Sequence, residues 1–145
     1  SLVLYFTGVS RESARIIDEQ ARNVVEGNSQ SAEAMFRLKE EAVLMKEALL
    51  RGDIGRFARV MQSGWEAKKK MARSISNPDI DALETLGFEH GAIATKVSGA
   101  GGGGFMMFIC DPADRMRLVR ALSGAGGRVY DSRLSAEGAI SWRVA

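Results

Sequence analysis

The run Ser98-Gly99-Ala100-Gly101-Gly102-Gly103-Gly104 is almost free of side chains and sits between two apolar stretches. Ala94 to Val97 reads as a short strand, and Phe105 to Cys110 as a continuous apolar strand of the fully buried kind. A glycine loop between two strands can turn backbone N–H groups toward one point, and anions bind where such groups converge. The competing reading is a long hairpin turn, which ordinarily needs neither this length nor this many glycines.

The spacing Gly99-x-Gly101-x-x-Gly104 also matches the dinucleotide fingerprint, but that motif requires a helix to open at the third glycine. Here a strand follows, so a dinucleotide site is rejected. No Gly-Lys-Ser/Thr follows the loop, which excludes a Walker A motif. The downstream Val-Ala-Ile-Lys, His-Arg-Asp and Asp-Phe-Gly of protein kinases are missing as well. No catalytic constellation is legible. Cys110 lies in an apolar strand, and His90, the single histidine, has no Cys or His nearby, so no metal site is expected. Asp79 and Asp81 follow a proline cap and suit helix-start electrostatics.

The elements that must position the loop follow from the periodicity. Leu2 to Phe6 is a strand ended by Thr7-Gly8, and Ser10 caps a helix with the stripe Ala14, Ile17, Ala21 and Val24. Ser31 opens a second helix whose stripe is Met35, Leu38, Ala42, Met45 and Leu49, read as core. A third helix runs from Ile54 to Ser74. At about 100° per residue, Phe57, Val60, Met61, Gly64, Trp65, Met71, Ala72 and Ile75 share one face. Lys68 falls in the middle of that face and Lys69 at its edge. An unpaired buried ammonium is costly, so Lys68 either snorkels or borders an anion site. Asn77-Pro78 is a cap with proline at the first helical position, and Gly91 ends that helix. Asp111-Pro112 repeats the device before a last helix carrying Met116, Val119 and Leu122. Arg128 to Leu134 and Ala139 to Val144 read as a closing pair of strands. The expected fold is α+β, an antiparallel sheet with helices on one face.

The totals set outer bounds. The 145 residues are 46% hydrophobic and 26% charged, with a net charge of +2. These values suit one globular domain, residues 1–145, and give no electrostatic footprint for nucleic acid. The apolar runs are strand-length, so no membrane span is expected. The lone Cys110 excludes a disulfide within the chain and agrees with a cytoplasmic setting.

The stretch from Lys96 to Phe105 resembles the third motif of the GHMP small-molecule kinases. Tyr5-Phe6-Thr7-Gly8, the run Met45 to Asp53, Trp65 to Met71 and Ser74 to Asp81 are similar to the sugar-kinase branch, most of all to kinases of D-glycero-D-manno-heptose 7-phosphate. The resemblance covers only that family's C-terminal half. It implies a ferredoxin-like domain, an ATP- and Mg2+-dependent kinase acting at an anomeric hydroxyl, and an N-terminal domain of the same kinase as partner. That absent half would carry the main phosphate loop and the catalytic acidic residue, so these 145 residues alone are expected to be inactive. The resemblance implies that Ser98, Gly99, Ala100, Gly101, Gly102, Gly103 and Gly104 form a phosphate loop. Lys68, Lys69, Arg11 and Lys96 are then candidate ligands of the sugar phosphate. A fucose kinase, or a non-enzymatic module binding an anionic effector, are the alternatives.

Overall fold

The structure is a computed structural model that describes residues 1–9, 13–132, 135 and 137–143. The elements run β1 (Leu2–Phe6), α1 (Ser13–Val25), α2 (Ser29–Leu50), α3 (Ile54–Lys69), a 3-10 turn (Arg73–Ile75), α4 (Pro78–Glu89), β2 (Ala92–Val97), β3 (Phe105–Cys110), α5 (Arg115–Ser123) and β4 (Arg128–Tyr130). The four strands form one sheet in the order β2-β3-β1-β4. All neighbours are antiparallel, with Val3 opposite Phe108, Tyr5 opposite Met106, and Met106 opposite Val97. This is the split βαβ arrangement of ferredoxin-like domains.

Alternation along the strands sets the core. Val3, Tyr5, Met106 and Phe108 are buried on one face, where Ile80 and Leu83 of α4 and Leu118 and Leu122 of α5 cover them. Helix α4 approaches closely at Gly87, where a Cβ would stand 2.6 Å from the Phe108 ring. The expected helical layer is therefore formed by α4 and α5. Helix α3 adds a flank along the β2 edge, where Gln62 Oε1 accepts the Thr95 N–H at 2.8 Å. From there Ala58 and Met61 reach Ala94 and Ile109 on the other face. An otherwise unpaired strand edge is thus partly satisfied by a side chain. No helix among the described residues is long and apolar enough to cross a membrane.

Several local expectations change. Helix α1 buries Ile16 rather than the stripe of Ala14, Ile17, Ala21 and Val24, and Ile17 is 54% exposed. It docks instead through polar groups on the Ile16 face. Glu19 accepts the Arg73 N–H and the Ser74 hydroxyl, and Asn23 donates to the Met71 carbonyl at 2.7 Å. Helix α2 starts at Ser29 and is capped by Asn28, whose side chain accepts the Ser31 N–H. Ser31 itself is buried, with its hydroxyl on the Met71 carbonyl. Only one side of α2 is covered, mainly by small residues such as Ala34 and Ala48, so Met35, Ala42 and Leu49 remain exposed. Helix α3 ends at Lys69, five residues early, because the chain breaks into an extended link at Ala72 before the 3-10 turn. Asp111 forms a turn, accepting the Ala113 N–H at 2.8 Å, and α5 begins only at Arg115. The closing pair of strands reduces to Arg128–Tyr130 against Leu4–Phe6. Residues 139–143 form no strand, and Trp142 is exposed. Alternation alone does not make a strand where no edge receives it. Ser10, Leu134 and Val144 lie outside the described residues.

Candidate active site

The glycine loop is held at both ends by the sheet. Ser98 N–H donates to the Phe105 carbonyl at 2.7 Å, and Thr7 N–H donates to the Gly104 carbonyl at 2.9 Å. Between these points Gly99, Gly101, Gly102, Gly103 and Gly104 all have positive φ, from +75° at Gly102 to +147° at Gly103. Two of them also press on backbone. A Cβ at Gly101 would lie 2.7 Å from the Ile75 carbonyl oxygen, and one at Gly103 would lie 2.8 Å from that of Val9. Glycine is required there by conformation and by space.

The loop's donors are divided. Gly102 N–H goes to the Ile75 carbonyl at 2.8 Å, and Gly104 N–H to the Val9 carbonyl at 2.7 Å and the Thr7 hydroxyl at 3.1 Å. Together with Ser98, these amides are occupied internally, which corrects the expectation that the whole run could face an anion. The N–H groups of Gly99, Ala100, Gly101 and Gly103 have no acceptor among the described residues. The carbonyls follow another pattern. Lys68 Nζ donates to the Gly99 oxygen, Gln20 Nε2 to the Ala100 oxygen at 3.3 Å, and Asn77 Nδ2 to the Gly102 oxygen at 3.2 Å.

The candidate lysines have different partners. Lys68 reaches the loop from the end of α3. Burial, and secondarily the nearby Lys96 charge, hold its pKa below the ordinary lysine value. Lys96 lines an apolar cavity of about 520 Å³ with Phe57, Met61 and Ile109, on the sheet face away from α4 and α5. Lys69 turns from the loop to carboxylates. Its Nζ lies 2.8 Å from Glu66 Oε1 and 3.2 Å from Glu84 Oε2. Burial opposes its charge, but the hydrogen bonds and attraction of Glu66 and Glu84 together outweigh that and raise its pKa. Arg11 lies outside the described residues. A second cavity, of about 490 Å³, is bounded by Gly102, Gly103, Thr7, Tyr5, Asn77 and Asp79. Cys110 is buried, and burial pushes its thiol pKa up, away from nucleophilic character.

Sequence reasoning missed Gln20 and the second role of Asn77. Gln20 carries no signal, being an ordinary polar helix residue. Asn77 was legible as a cap, but its amide hydrogen also reaches a loop 25 residues away.

Comparison with known proteins places the chain in a family. The family model for the GHMP kinases C terminal matches residues 45–128. A D-glycero-alpha-D-manno-heptose 7-phosphate kinase of Campylobacter jejuni is 40% identical over 142 residues, covering 98% of this chain and 41% of that protein. A crystal structure of a D-glycero-D-manno-heptose 1-phosphate kinase from Bacteroides thetaiotaomicron superposes with a TM-score of 0.58 at 35% identity, over 90% of this chain and 31% of that one. Mevalonate kinase of L. major shares the fold, with a TM-score of 0.79 at 19% identity, over 89% of this chain and 40% of its own. The chain thus spans less than half the length of each of these relatives. With a matching family model over more than half of its residues and the glycine loop seated between β2 and β3, the chain belongs to the GHMP kinase family, as a C-terminal domain.

Proposed function

We propose that this chain is the C-terminal part of an ATP-dependent sugar kinase that phosphorylates a heptose 7-phosphate at its anomeric hydroxyl. The observation that carries this reading is the set of loop amides at Gly99, Ala100, Gly101 and Gly103, which have no protein acceptor among the described residues. Phosphoryl transfer is mainly positioning and charge stabilisation, and fixed backbone donors supply both without reorganising. The similarity to the heptose 7-phosphate kinase supports the substrate class. The unpartnered amides fit the phosphates of ATP, and Mg2+ would neutralise charge on the transferring group when bound. Among the described residues no cluster of His, Cys, Asp or Glu could hold a metal ion. In this reading its ligands, the catalytic base and the main phosphate loop belong to the N-terminal part of the kinase. Lys68 and Lys96 add positive charge near the loop, and Arg11 is a candidate ligand of the sugar phosphate. Lys69 acts through Glu84 rather than on substrate.

The test is a coupled ADP-release assay on the full-length kinase and on these 145 residues alone. Turnover of heptose 7-phosphate by the full-length protein, with none by the 145 residues, is expected. Preference for unphosphorylated fucose would replace the substrate assignment. Turnover by the 145 residues alone would overturn the half-site reading.

A further inference from the structure

The three side chains on the loop's carbonyls have a consequence that follows from peptide geometry. In a trans peptide the C=O and the next residue's N–H point in opposite directions across one plane. No peptide bond in the chain is cis among the described residues. Fixing the Gly99 oxygen on Lys68 therefore turns the Ala100 N–H away from α3. Fixing the Ala100 oxygen on Gln20 turns the Gly101 N–H away from α1. Fixing the Gly102 oxygen on Asn77 turns the Gly103 N–H away from the start of α4. These are three of the four loop amides that lack an acceptor among the described residues, Gly99 being the fourth, whereas the Gly102 amide, whose preceding carbonyl is not held this way, is spent on Ile75.

We propose that Lys68, Gln20 and Asn77 are positioning residues that aim the Ala100, Gly101 and Gly103 amides at a bound phosphate. The inference rests on the phosphate-loop reading above and adds what sets the direction of its donors. Glycines at positive φ can flip a peptide plane at little cost, so a run of them would not by itself hold a donor array. Three helices each supply one side-chain donor, and each removes one peptide flip. Preorganised donors of this kind need not reorient when charge develops. Asn77 also joins the loop to a helix start, because its Oδ1 accepts the Asp79 and Ile80 N–H groups, both at 3.1 Å. That second duty fixes the amide's orientation.

Two neutral variants test this without altering charge near the anion. Asn77→Ser keeps a good N-cap but loses the donor to Gly102, and Gln20→Met keeps length and helix propensity but loses the donor to Ala100. The experiment is a titration of the full-length kinase with inorganic pyrophosphate, followed by amide proton and nitrogen shifts. In the unaltered chain, the Ala100, Gly101 and Gly103 amides should move together along one binding curve. Gln20→Met should abolish the Gly101 response and Asn77→Ser the Gly103 response. Each should weaken affinity about fivefold or more, as expected for loss of one charge-assisted bond. Unchanged β3 amides in the free variants would separate aiming from unfolding. If the unaltered chain responds and both variants respond equally well, the positioning role is wrong while the phosphate loop stands. If no loop amide of the unaltered chain responds, the phosphate-loop reading fails, and the positioning role with it.

Discussion

Trp65 donates its indole N–H to Glu84 Oε2 at 3.1 Å, the same carboxylate oxygen that lies 3.2 Å from Lys69 Nζ. Gln62 Nε2 takes the other oxygen at 2.8 Å while its Oε1 receives the Thr95 N–H of β2. One buried carboxylate therefore joins α3, α4 and, through Gln62, the edge of the sheet.

That arrangement predicts a stability effect. Glu84→Ala leaves the Trp65 donor unsatisfied and both Gln62 Nε2 and Lys69 with Glu66 alone. A loss of about 2–3 kcal/mol is expected, discounted from the full cost of breaking a buried pair because Lys69 is partly exposed. Trp65→Phe removes one hydrogen bond and should cost about 1–2 kcal/mol. Urea unfolding of both variants measures this, and a Glu84→Ala chain as stable as the original would show that the network carries no weight.

Lys68 is expected to trade stability for its place beside the loop. Its pKa is depressed, first by burial and then by Lys96, so the folded state binds that proton less well than the unfolded state. For a base with a lowered folded pKa, stability rises with pH from that lowered value up to the ordinary one, near about 10.4. Thermal unfolding of the original chain against Lys68→Met should therefore show the difference moving in favour of lysine between neutral pH and pH 10. A flat difference would mean the ammonium is well solvated, and one that moves the other way would mean the fold stabilises its charge.

Glu19 gives the same pH slope in an acid window, but as a charge that stabilises the fold. The Ser74 hydroxyl is the main cause of its lowered pKa, which burial partly opposes and the Arg73 and Ser74 amides reinforce. A carboxylate with a depressed folded pKa stabilises above its unfolded value and loses that contribution as pH falls through the folded one. Glu19→Gln should lower Tm slightly near pH 7, and the gap should close below about pH 4. An equal gap at both pH values would remove charge from the explanation.

Much of this was readable in the chain, and for identifiable reasons. Asn77-Pro78 announced α4 because cap and proline act on adjacent backbone, so the signal is local. The glycine loop announced itself because positive φ at successive residues demands glycine. What was not legible depended on distant partners. The docking face of α1 is polar, so apolar spacing pointed to Ile17 when Ile16, Glu19, Gln20 and Asn23 make the contacts. The split of the loop amides into occupied and unoccupied sets depends on Ile75, Val9, Gln20 and Lys68, none of them neighbours in sequence.

In the proposed function this loop acts on phosphate through backbone held in a conformation that strongly favours glycine. Gly99 and Gly101 separate conformation from space. Gly99→Ala meets nothing within 4 Å at a φ of +81°, whereas Gly101→Ala at +122° would strike the Ile75 backbone. The most direct measurement is the steady-state rate of the full-length kinase carrying each change, with heptose 7-phosphate and MgATP. Gly101→Ala is expected to lower kcat by about a hundredfold or more, the scale of losing a preorganised donor, with KM for the sugar little changed. Gly99→Ala should stay within about tenfold, its strain being roughly 1–2 kcal/mol. A Gly101→Ala enzyme that folds and turns over with normal kcat would contradict the account, leaving the loop as a hairpin connection.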